Sequence, residues 1–225
     1  MTHVKTRIPR VDKGIVQGFA DIGVATVYEA AGRVGSVDPG IRPLAPGVRV
    51  IGTAITVQCH PKDNLMLHKA LQIAGEGDVI VAAMDDFYEA GYWGGLMTGS
   101  AMARRIAGLA IDGCVRDSAE IIEMGFPVFC RGRCIRGTTK GILGTVNHPI
   151  LFGGVFVNPG DLILGDDDGM VVVAAGDVEK VLEASRARVA KEEDKASQLA
   201  AGTTSVALNK LDQVFQSLGL VEEQP

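Results

Sequence analysis

The chain has 225 residues, of which 47% are hydrophobic and 22% charged, and its formal net charge is −5. A chain of this length can bury a core without disulfides or metals, and its apolar content excludes intrinsic disorder. The mild acidity argues against a nucleic-acid partner, which would favour a basic face. Glycine accounts for 29 residues, roughly double its usual share. Such an excess indicates many tight turns or backbone brought close to a ligand.

Residues 1–5 are polar and lack the apolar centre of a signal peptide. The longest apolar runs, such as residues 79–84 and 170–175, are about six residues long, whereas a membrane span needs ~20. We therefore expect a soluble, cytoplasmic protein without a membrane partner. Without an export signal, its four cysteines are expected to be reduced thiols. Cys130 and Cys134 could form half of a metal site, but they lack the second Cys/His pair of a zinc site, so buried or idle thiols are expected.

Hydrophobic periodicity predicts alternating helices and strands in the first half of the chain. The expected elements are a helix over residues 13–31, a strand over 48–59, a helix over 64–74, a strand over 78–84, a helix over 97–106, a strand over 109–111, a helix over 118–124 and a strand over 127–130. Asp63 is the expected N-cap of the second helix, and glycines such as Gly32 and Gly75 mark helix ends.

The second half of the chain has a different pattern. Residues 132–173 are rich in glycine and predict strands and turns, whereas residues 177–201 predict a long amphipathic helix. A last short helix is expected over residues 206–218. We interpret residues 1–225 as one α/β domain. The charged residues 191–195 of the long helix fit either a solvated face or packing on a neighbouring subunit.

The glycine-rich stretch 91–100 leaves a predicted strand and opens a predicted helix. Glycine lets the backbone approach a ligand, and the free N–H groups at a helix start favour an anion such as a carboxylate or phosphate. The spacing matches neither a Walker loop nor the dinucleotide fingerprint. A purely structural glycine turn is the alternative.

Residues 112–117, Asp-Gly-Cys-Val-Arg-Asp, follow the next predicted strand. Arg116 offers a planar fork for a carboxylate, and Asp117 offers an oxygen ligand for a hard divalent cation that keeps its waters. A structural Arg–Asp pair in a turn is the alternative. Because both stretches follow strands of consecutive βα units, we expect them to lie within reach of each other.

Two further groups of polar residues are candidate sites. Asn64 and His68 are four residues apart on one helical face, where they are expected to orient a polar substrate. An ordinary surface role for His68 is the alternative. The three aspartates of residues 166–169 suggest a metal site, but Asp-Asp-Gly also forms hairpin turns, and the turn is favoured.

Several motifs occur together in one order along nearly the whole chain. They are residues 23–30, Asp63-Asn64, Gly77-Asp78, the glycine-rich stretch 91–100, residues 112–117, residues 158–161 and residues 166–169. In these motifs the chain resembles the class II pyruvate aldolases that act on 4-hydroxy-4-methyl-2-oxoglutarate and 4-carboxy-4-hydroxy-2-oxoadipate. That family also includes the RraA-like proteins, named for RNase E activity regulator A.

The resemblance implies a three-layered β/β/α swivelling-type α/β fold that assembles as a homotrimer or a dimer of trimers. Active sites would lie between subunits, with the C-terminal helices, about residues 177–218, packing on a neighbouring subunit. The implied reaction cleaves a 4-hydroxy-2-oxo dicarboxylic or tricarboxylic acid to pyruvate and a second small 2-oxo acid. Oxaloacetate decarboxylation is an implied side activity.

The resemblance also implies roles for single residues. Arg116 matches the arginine that binds the pyruvate carboxylate, and Asp117 matches the aspartate that binds Mg²⁺ (or Mn²⁺ or another divalent cation). The backbone N–H groups of Leu96 and Met97 match those that hold the pyruvyl unit. Glu192 matches a glutamate that reaches the site from the neighbour's long C-terminal helix.

The chain departs from the aldolases at one position of the glycine loop. Gly94 and Gly95 shape this loop, but the aldolases carry an acid at the position of Gly95, where it helps to hold the metal's water shell. Acids within residues 85–89 are candidate replacements. The regulator branch of the family usually lacks the Arg–Asp pair that Arg116 begins. A non-catalytic oligomeric regulator that binds a protein partner is the alternative to a lyase.

Overall fold

The computed structural model describes residues 3–223, so residues 1 and 2 of the polar N-terminal stretch lie outside it. The strands are β1 (His3–Val4), β2 (Arg42–Pro43), β3 (Val50–Gln58), β4 (Asp78–Ala83), β5 (Gly91–Trp93), β6 (Gly108–Val115), β7 (Val128–Arg133), β8 (Thr145–Val146), β9 (Ile150–Phe152), β10 (Val155–Val157), β11 (Leu162–Asp166) and β12 (Gly169–Val173). The helices are α1 (Lys13–Gly18), α2 (Val24–Ala30), α3 (Leu65–Ile73), α4 (Gly95–Ala103), α5 (Ser118–Glu123), α6 (Val178–Ala200), α7 (Ser205–Asn209) and α8 (Leu211–Ser217). The chain divides into two compact units, residues 1–185 and 186–225.

The main sheet has the strand order β1-β8-β3-β4-β6-β7-β2. Its central strands β3, β4, β6 and β7 are parallel. The β11–β12 hairpin joins the sheet through β3, and the short strand β5 pairs with the end of β6. Because parallel strands end at the same edge of a sheet, the residues that follow β5 and β6 lie side by side there.

Two hydrophobic cores flank this sheet and define three layers. Side chains of each central strand alternate between them: in β4, Ile80 and Ala82 belong to the core that includes residues of α3, α4 and α5, whereas Val79 and Val81 belong to the other. The second core includes Phe152 of the antiparallel pair β9–β10. The three-layered β/β/α fold is therefore confirmed.

The single helix predicted near the N-terminus is wrong, because the chain forms α1 and α2 with a turn between them. The carbonyl oxygens of Phe19 and Ile22 accept hydrogen bonds from the guanidinium of Arg49. The N–H of Val24 donates to Oδ2 of Asp166 at 2.9 Å, at the start of α2. Long-range contacts therefore override local helix propensity here.

The predicted strand 109–111 is too short, because β6 continues through Asp112. The carboxylate of Asp112 is buried and accepts hydrogen bonds from Arg131 Nε at 2.6 Å and from the N–H of Gly153 at 3.0 Å. These two hydrogen bonds compensate for the free energy of burying the charged carboxylate, so the buried strand continues through Asp112. The predicted last helix is also interrupted, since Lys210 has a φ of 55° and separates α7 from α8.

Candidate active site

The glycine-rich stretch connects β5 to α4. Gly94 is extended and is the N-cap of α4, and as a glycine it has no side chain of its own to cap the helix. The N–H of Gly95 donates to Oδ2 of Asp117 at 3.2 Å. The N–H groups of Leu96 and Met97 belong to the first turn, where no intrahelical acceptor is available. This junction therefore presents backbone donors suited to an anion.

Arg116 and Asp117 form the matching junction between β6 and α5. Asp117 is the N-cap of α5 and has left-handed backbone angles (φ 54°), which aspartate tolerates better than most residues. The N–H of Arg116 donates to the carbonyl oxygen of Trp93 at 2.9 Å, so the two junctions are directly linked. Both side chains are about half exposed, and Arg116 Nε lies 3.8 Å from Asp117 Oδ2.

The two glycines of the loop make room for two carboxylates. A Cβ atom on Gly94 would lie closer than 3.0 Å to Oδ2 of Asp117, and a Cβ on Gly95 would lie closer than 3.0 Å to three carboxylate atoms of Glu120. Glu120 was not among the site residues predicted from the sequence. Its position three residues after Asp117 was the available signal, because the side chains of the N-cap residue and of the third helical residue both lie at the N-terminal end of a helix.

The acids of residues 85–89 make other contacts. Asp85 accepts a hydrogen bond from Gln58, and Glu89 pairs with Arg136. The three atoms nearest to a Cβ on Gly95 belong to Glu120, and no atom of these acids is among them. The structure therefore identifies Glu120, rather than these residues, as the acid beside Gly95.

Helix α3 contributes His68 and its N-cap residue, which is Asn64 and not the predicted Asp63, to the same pocket. Asn64 is almost fully buried, and its Nδ2 donates to the carbonyl oxygen of Tyr92 at 2.8 Å. Its Oδ1 has no hydrogen-bond partner within residues 3–223. Burial and the nearby charge of Lys140 lower the pKa of His68, which favours a neutral imidazole.

A loop after β7 forms the remaining wall, with Gly137, Thr138 and Lys140 lining the pocket. Asp63 holds this loop: its Oδ2 accepts hydrogen bonds from Thr139 Oγ1 at 2.8 Å and from the N–H of Gly141 at 2.7 Å. No sequence signal pointed to Lys140, because its role depends on where the loop folds.

The pocket has a volume of about 220 Å³, which corresponds to about seven water molecules at ~30 Å³ each. It brings together most of the predicted site residues. Those that line it are Asn64, His68, Gly94, Leu96, Met97, Arg116 and Asp117. Gly95 is adjacent, since it bonds to Asp117. A carboxylate-bearing small molecule fits the size and the donors of this pocket.

Glu192 lies on α6 in the second compact unit, residues 186–225. Its Oε1 is 2.8 Å from Nε of Arg188, one helical turn away. Its implied role at the site of a neighbouring subunit stays a prediction.

The aspartates of residues 166–169 form a turn between β11 and β12. Asp166 accepts hydrogen bonds from the backbone of Val24 and Asp168, and Asp167 accepts from Gly47 at 2.9 Å. Within residues 3–223, no group of three or more His, Cys, Asp or Glu side chains is arranged to hold a metal ion. These contacts support the hairpin turn over the metal site.

The cysteines are free thiols in the part of the chain that the structure describes. Cys59, Cys114 and Cys130 are buried, and burial raises the pKa of Cys59 to about 12. The expectation of inert, reduced thiols agrees with these surroundings.

Comparison with known proteins identifies the family. Residues 24–172 match the family model RraA-like, described as Aldolase/RraA. The chain belongs to this family. It is 37% identical over 175 residues, 78% of this chain and 83% of the relative, to a protein of Halalkalibacterium halodurans provisionally named 4-hydroxy-4-methyl-2-oxoglutarate aldolase.

Solved structures of relatives share the fold. Streptomyces coelicolor RraAS2, described as an unusual member of the RNase ES inhibitor RraA family, superposes with a TM-score of 0.78 at 26% identity. The match covers 84% of this chain and all of that one. An uncharacterized protein from Pseudomonas syringae pv. tomato gives a TM-score of 0.78 at 28% identity, over 88% and 97% of the chains. Among the described residues, no helix has the length and apolar character to cross a membrane.

Proposed function

We propose that this protein is a divalent-metal-dependent lyase that cleaves a 4-hydroxy-2-oxo dicarboxylic or tricarboxylic acid to pyruvate and a second 2-oxo acid. Oxaloacetate decarboxylation would follow from the same chemistry. The observation that carries the proposal is the meeting of Arg116 and Asp117 with the first turn of α4 in one pocket. The aldolase name of the H. halodurans relative supports it.

The residues present fit a hard cation such as Mg²⁺, Mn²⁺ or another divalent ion. Asp117 lies against Gly94 and Glu120 against Gly95, so two carboxylates converge on one peptide unit where a side chain would fill the space. Magnesium sites commonly use one or two carboxylates and leave other positions to water and substrate oxygens. A bound divalent cation would polarise the 2-oxo group and offset the charge of the enolate.

The chain's own residues would bind and orient the substrate. Arg116 would pair with the carboxylate of the pyruvyl unit, for which its planar fork is suited. The N–H groups of Leu96 and Met97 would donate to the same unit and stabilise negative charge as the C–C bond breaks. Glu120 would accept a hydrogen bond from water at the site and so orient a proton donor.

A coupled assay for pyruvate tests the proposal. Purified full-length protein is given oxaloacetate or 4-hydroxy-4-methyl-2-oxoglutarate, and pyruvate is followed with lactate dehydrogenase and NADH. We expect release that stops with EDTA and returns with excess Mg²⁺ or Mn²⁺. Absence of metal-dependent release above the protein-free background, with both substrates, would refute the lyase.

The second candidate is a non-catalytic oligomeric regulator that binds a protein partner. The similarity to S. coelicolor RraAS2 favours it. The two functions differ in what they require, because a binding protein has no need of Arg116 and Asp117 in a pocket. If the protein shows no turnover, and if substitutions at Arg116 leave its binding to a protein partner unchanged, the regulator is favoured.

We further propose that the lyase acts as a homotrimer or a dimer of trimers, in which Glu192 from one subunit completes a neighbour's site. Light scattering coupled to size-exclusion chromatography measures the assembly. We expect Glu192→Gln to lower turnover while the measured mass stays that of the wild type. A monomeric, fully active protein would refute this arrangement.

A further inference from the structure

The pocket contains a second cation besides Arg116. Lys140 lines the cavity from the loop that follows β7. Among the ion pairs of the described residues none involves Lys140, whereas Arg116 already faces Asp117 at 3.8 Å. A lysine charge that lines a small pocket without a protein partner is available to an anionic ligand.

The loop that carries Lys140 is held in place on both sides of that residue. Asp63 is buried, and its Oδ2 accepts hydrogen bonds from Thr139 Oγ1 at 2.8 Å, from Gly141 N–H at 2.7 Å and from Ile142 N–H at 3.2 Å. Hydrogen bonds to a buried carboxylate are among the stronger ones in proteins. The backbone of Lys140 is therefore fixed, although its side chain is exposed to the pocket.

The same loop approaches Arg116. A Cβ atom on Gly137 would lie 3.7 Å from Nη1 of Arg116. Two residues lie between Gly137 and Lys140, and an extended chain of three residue steps spans about 10 Å at most. Arg116 thus faces the Gly137 end of this segment and Lys140 lies at its other end, so both cations line one pocket and can take the two carboxylates of one small dianion.

Neutral polar groups line the same pocket as these charges. Asn64 is buried and presents an Oδ1 with no partner in the described part of the chain. His68 also lines the pocket, and burial together with the charge of Lys140 lowers its pKa, so its neutral imidazole has one N–H to donate. An unpaired buried acceptor is costly unless a ligand donates to it, as a substrate hydroxyl would.

We propose that Lys140 is a specificity-determining residue, which pairs with the distal carboxylate of a dianionic 2-oxo acid while Arg116 holds the carboxylate next to the 2-oxo group. Asp63 is its positioning residue. The orientation of the substrate rests on the proposed lyase function, but the charge preference is a binding property that needs no turnover.

A matched pair of ligands tests this assignment. 2-Oxoglutarate and 2-oxopentanoate have the same five-carbon chain and differ in the distal carboxylate. Both lack a 4-hydroxyl group, so neither is a substrate for retro-aldol cleavage. Isothermal titration in the presence of Mg²⁺ measures both affinities. We expect the wild type to prefer 2-oxoglutarate by about tenfold, the scale of one charge-assisted hydrogen bond.

Lys140→Met should remove this preference and leave the affinity for 2-oxopentanoate within about twofold of the wild type, because only the distal contact is lost. Lys140→Arg should restore most of it. Lys69→Met is the matched control, since Lys69 lies next to His68 on α3 but bonds to Gln72 and does not line the pocket. It should keep the full preference.

Asp63→Asn should reduce the preference while 2-oxopentanoate still binds, a selective loss that general unfolding would not give. Equal wild-type affinities for the two acids, or a preference that survives in Lys140→Met, would overturn the assignment. If the wild type prefers 2-oxoglutarate but releases no pyruvate from oxaloacetate or 4-hydroxy-4-methyl-2-oxoglutarate, the lyase function is refuted. The role of Lys140 in binding the distal carboxylate then still stands.

Discussion

The carboxylate of Glu120 fills the space in which a side chain on Gly95 would lie. Three of its atoms are closer than 3.0 Å to the position of a Cβ atom on Gly95. The aldolases that this chain resembles carry an acid at the position of Gly95. The negative charge beside Asp117 is therefore kept, but it comes from the first turn of α5 instead of the first turn of α4.

This relationship predicts what happens to Mg²⁺ affinity when the acid is removed from position 120 or placed at position 95. Glu120→Gln should weaken the apparent affinity for Mg²⁺ by about tenfold, because one of the two carboxylates at the site loses its charge. Gly95→Asp alone should not improve the affinity, since its side chain would crowd Glu120 and repel it. The double variant Gly95→Asp with Glu120→Ala should recover most of the affinity.

The Mg²⁺ dependence of pyruvate release and direct titration of Mg²⁺ both measure the Mg²⁺ affinity of these variants. Glu123→Gln is the control, because Glu123 lies on the same helix but is not among the atoms nearest to a Cβ on Gly95, which all belong to Glu120. A Glu120→Gln variant with wild-type Mg²⁺ dependence would remove Glu120 from the site.

Arg116→Ala should lower kcat/KM for pyruvate release by at least about 100-fold, because the enolate loses a preorganised positive partner. The Arg116 side chain is half exposed, so the thermal midpoint should change little. Circular dichroism checks the fold, and Arg116→Lys tests whether charge without the planar fork is enough. Unchanged turnover in Arg116→Ala would exclude it from the reaction.

The carboxylate of Asp63 should contribute to the stability of the protein in a pH-dependent way. Burial alone would raise its pKa, but hydrogen bonds from Gly141, Leu65, Thr139 and Ile142 hold the pKa below its usual value. A lowered pKa means that the folded state binds this proton more weakly than the unfolded state, so the stabilisation is present above the unfolded pKa. It is lost as the pH falls through the folded pKa.

We expect Asp63→Asn to reduce the free energy of unfolding at pH 7 by about 2 kcal/mol, the scale of hydrogen bonds to a charged group. The difference from the wild type should shrink below about pH 4, near the pKa of an unperturbed aspartate. Urea unfolding of both proteins at pH 7, 5 and 3.5 measures it. A difference that does not vary with pH would contradict this role of the carboxylate.

A substitution at Asp167 distinguishes the two interpretations of residues 166–169, a hairpin turn and a metal site. Both of its carboxylate oxygens accept from the N–H of Gly47, at 2.9 and 3.1 Å. Asp167→Ala should therefore cost about 1 kcal/mol of stability and leave Mg²⁺ binding unchanged, whereas Asp117→Asn should weaken Mg²⁺ binding. Loss of Mg²⁺ affinity in Asp167→Ala would show that the turn binds metal.

The sequence by itself determined the fold class, the family and the two candidate site segments, residues 91–100 and 112–117. An unbroken apolar run identifies strand β4, and glycine spacing marks the loop before α4, because both signals are local. The meeting of Arg116 with the glycine loop was also predictable, since carboxyl ends of neighbouring parallel strands share one edge.

Only the tertiary structure decided which other residues share the pocket. Glu120 faces Gly95, and Lys140 enters beside His68, through contacts between segments far apart in the chain. The buried Asp112 continues a strand because Arg131 satisfies it from the neighbouring strand. Such partners are invisible to periodicity, since the free energy of burying a charge depends on the residues that fold against it.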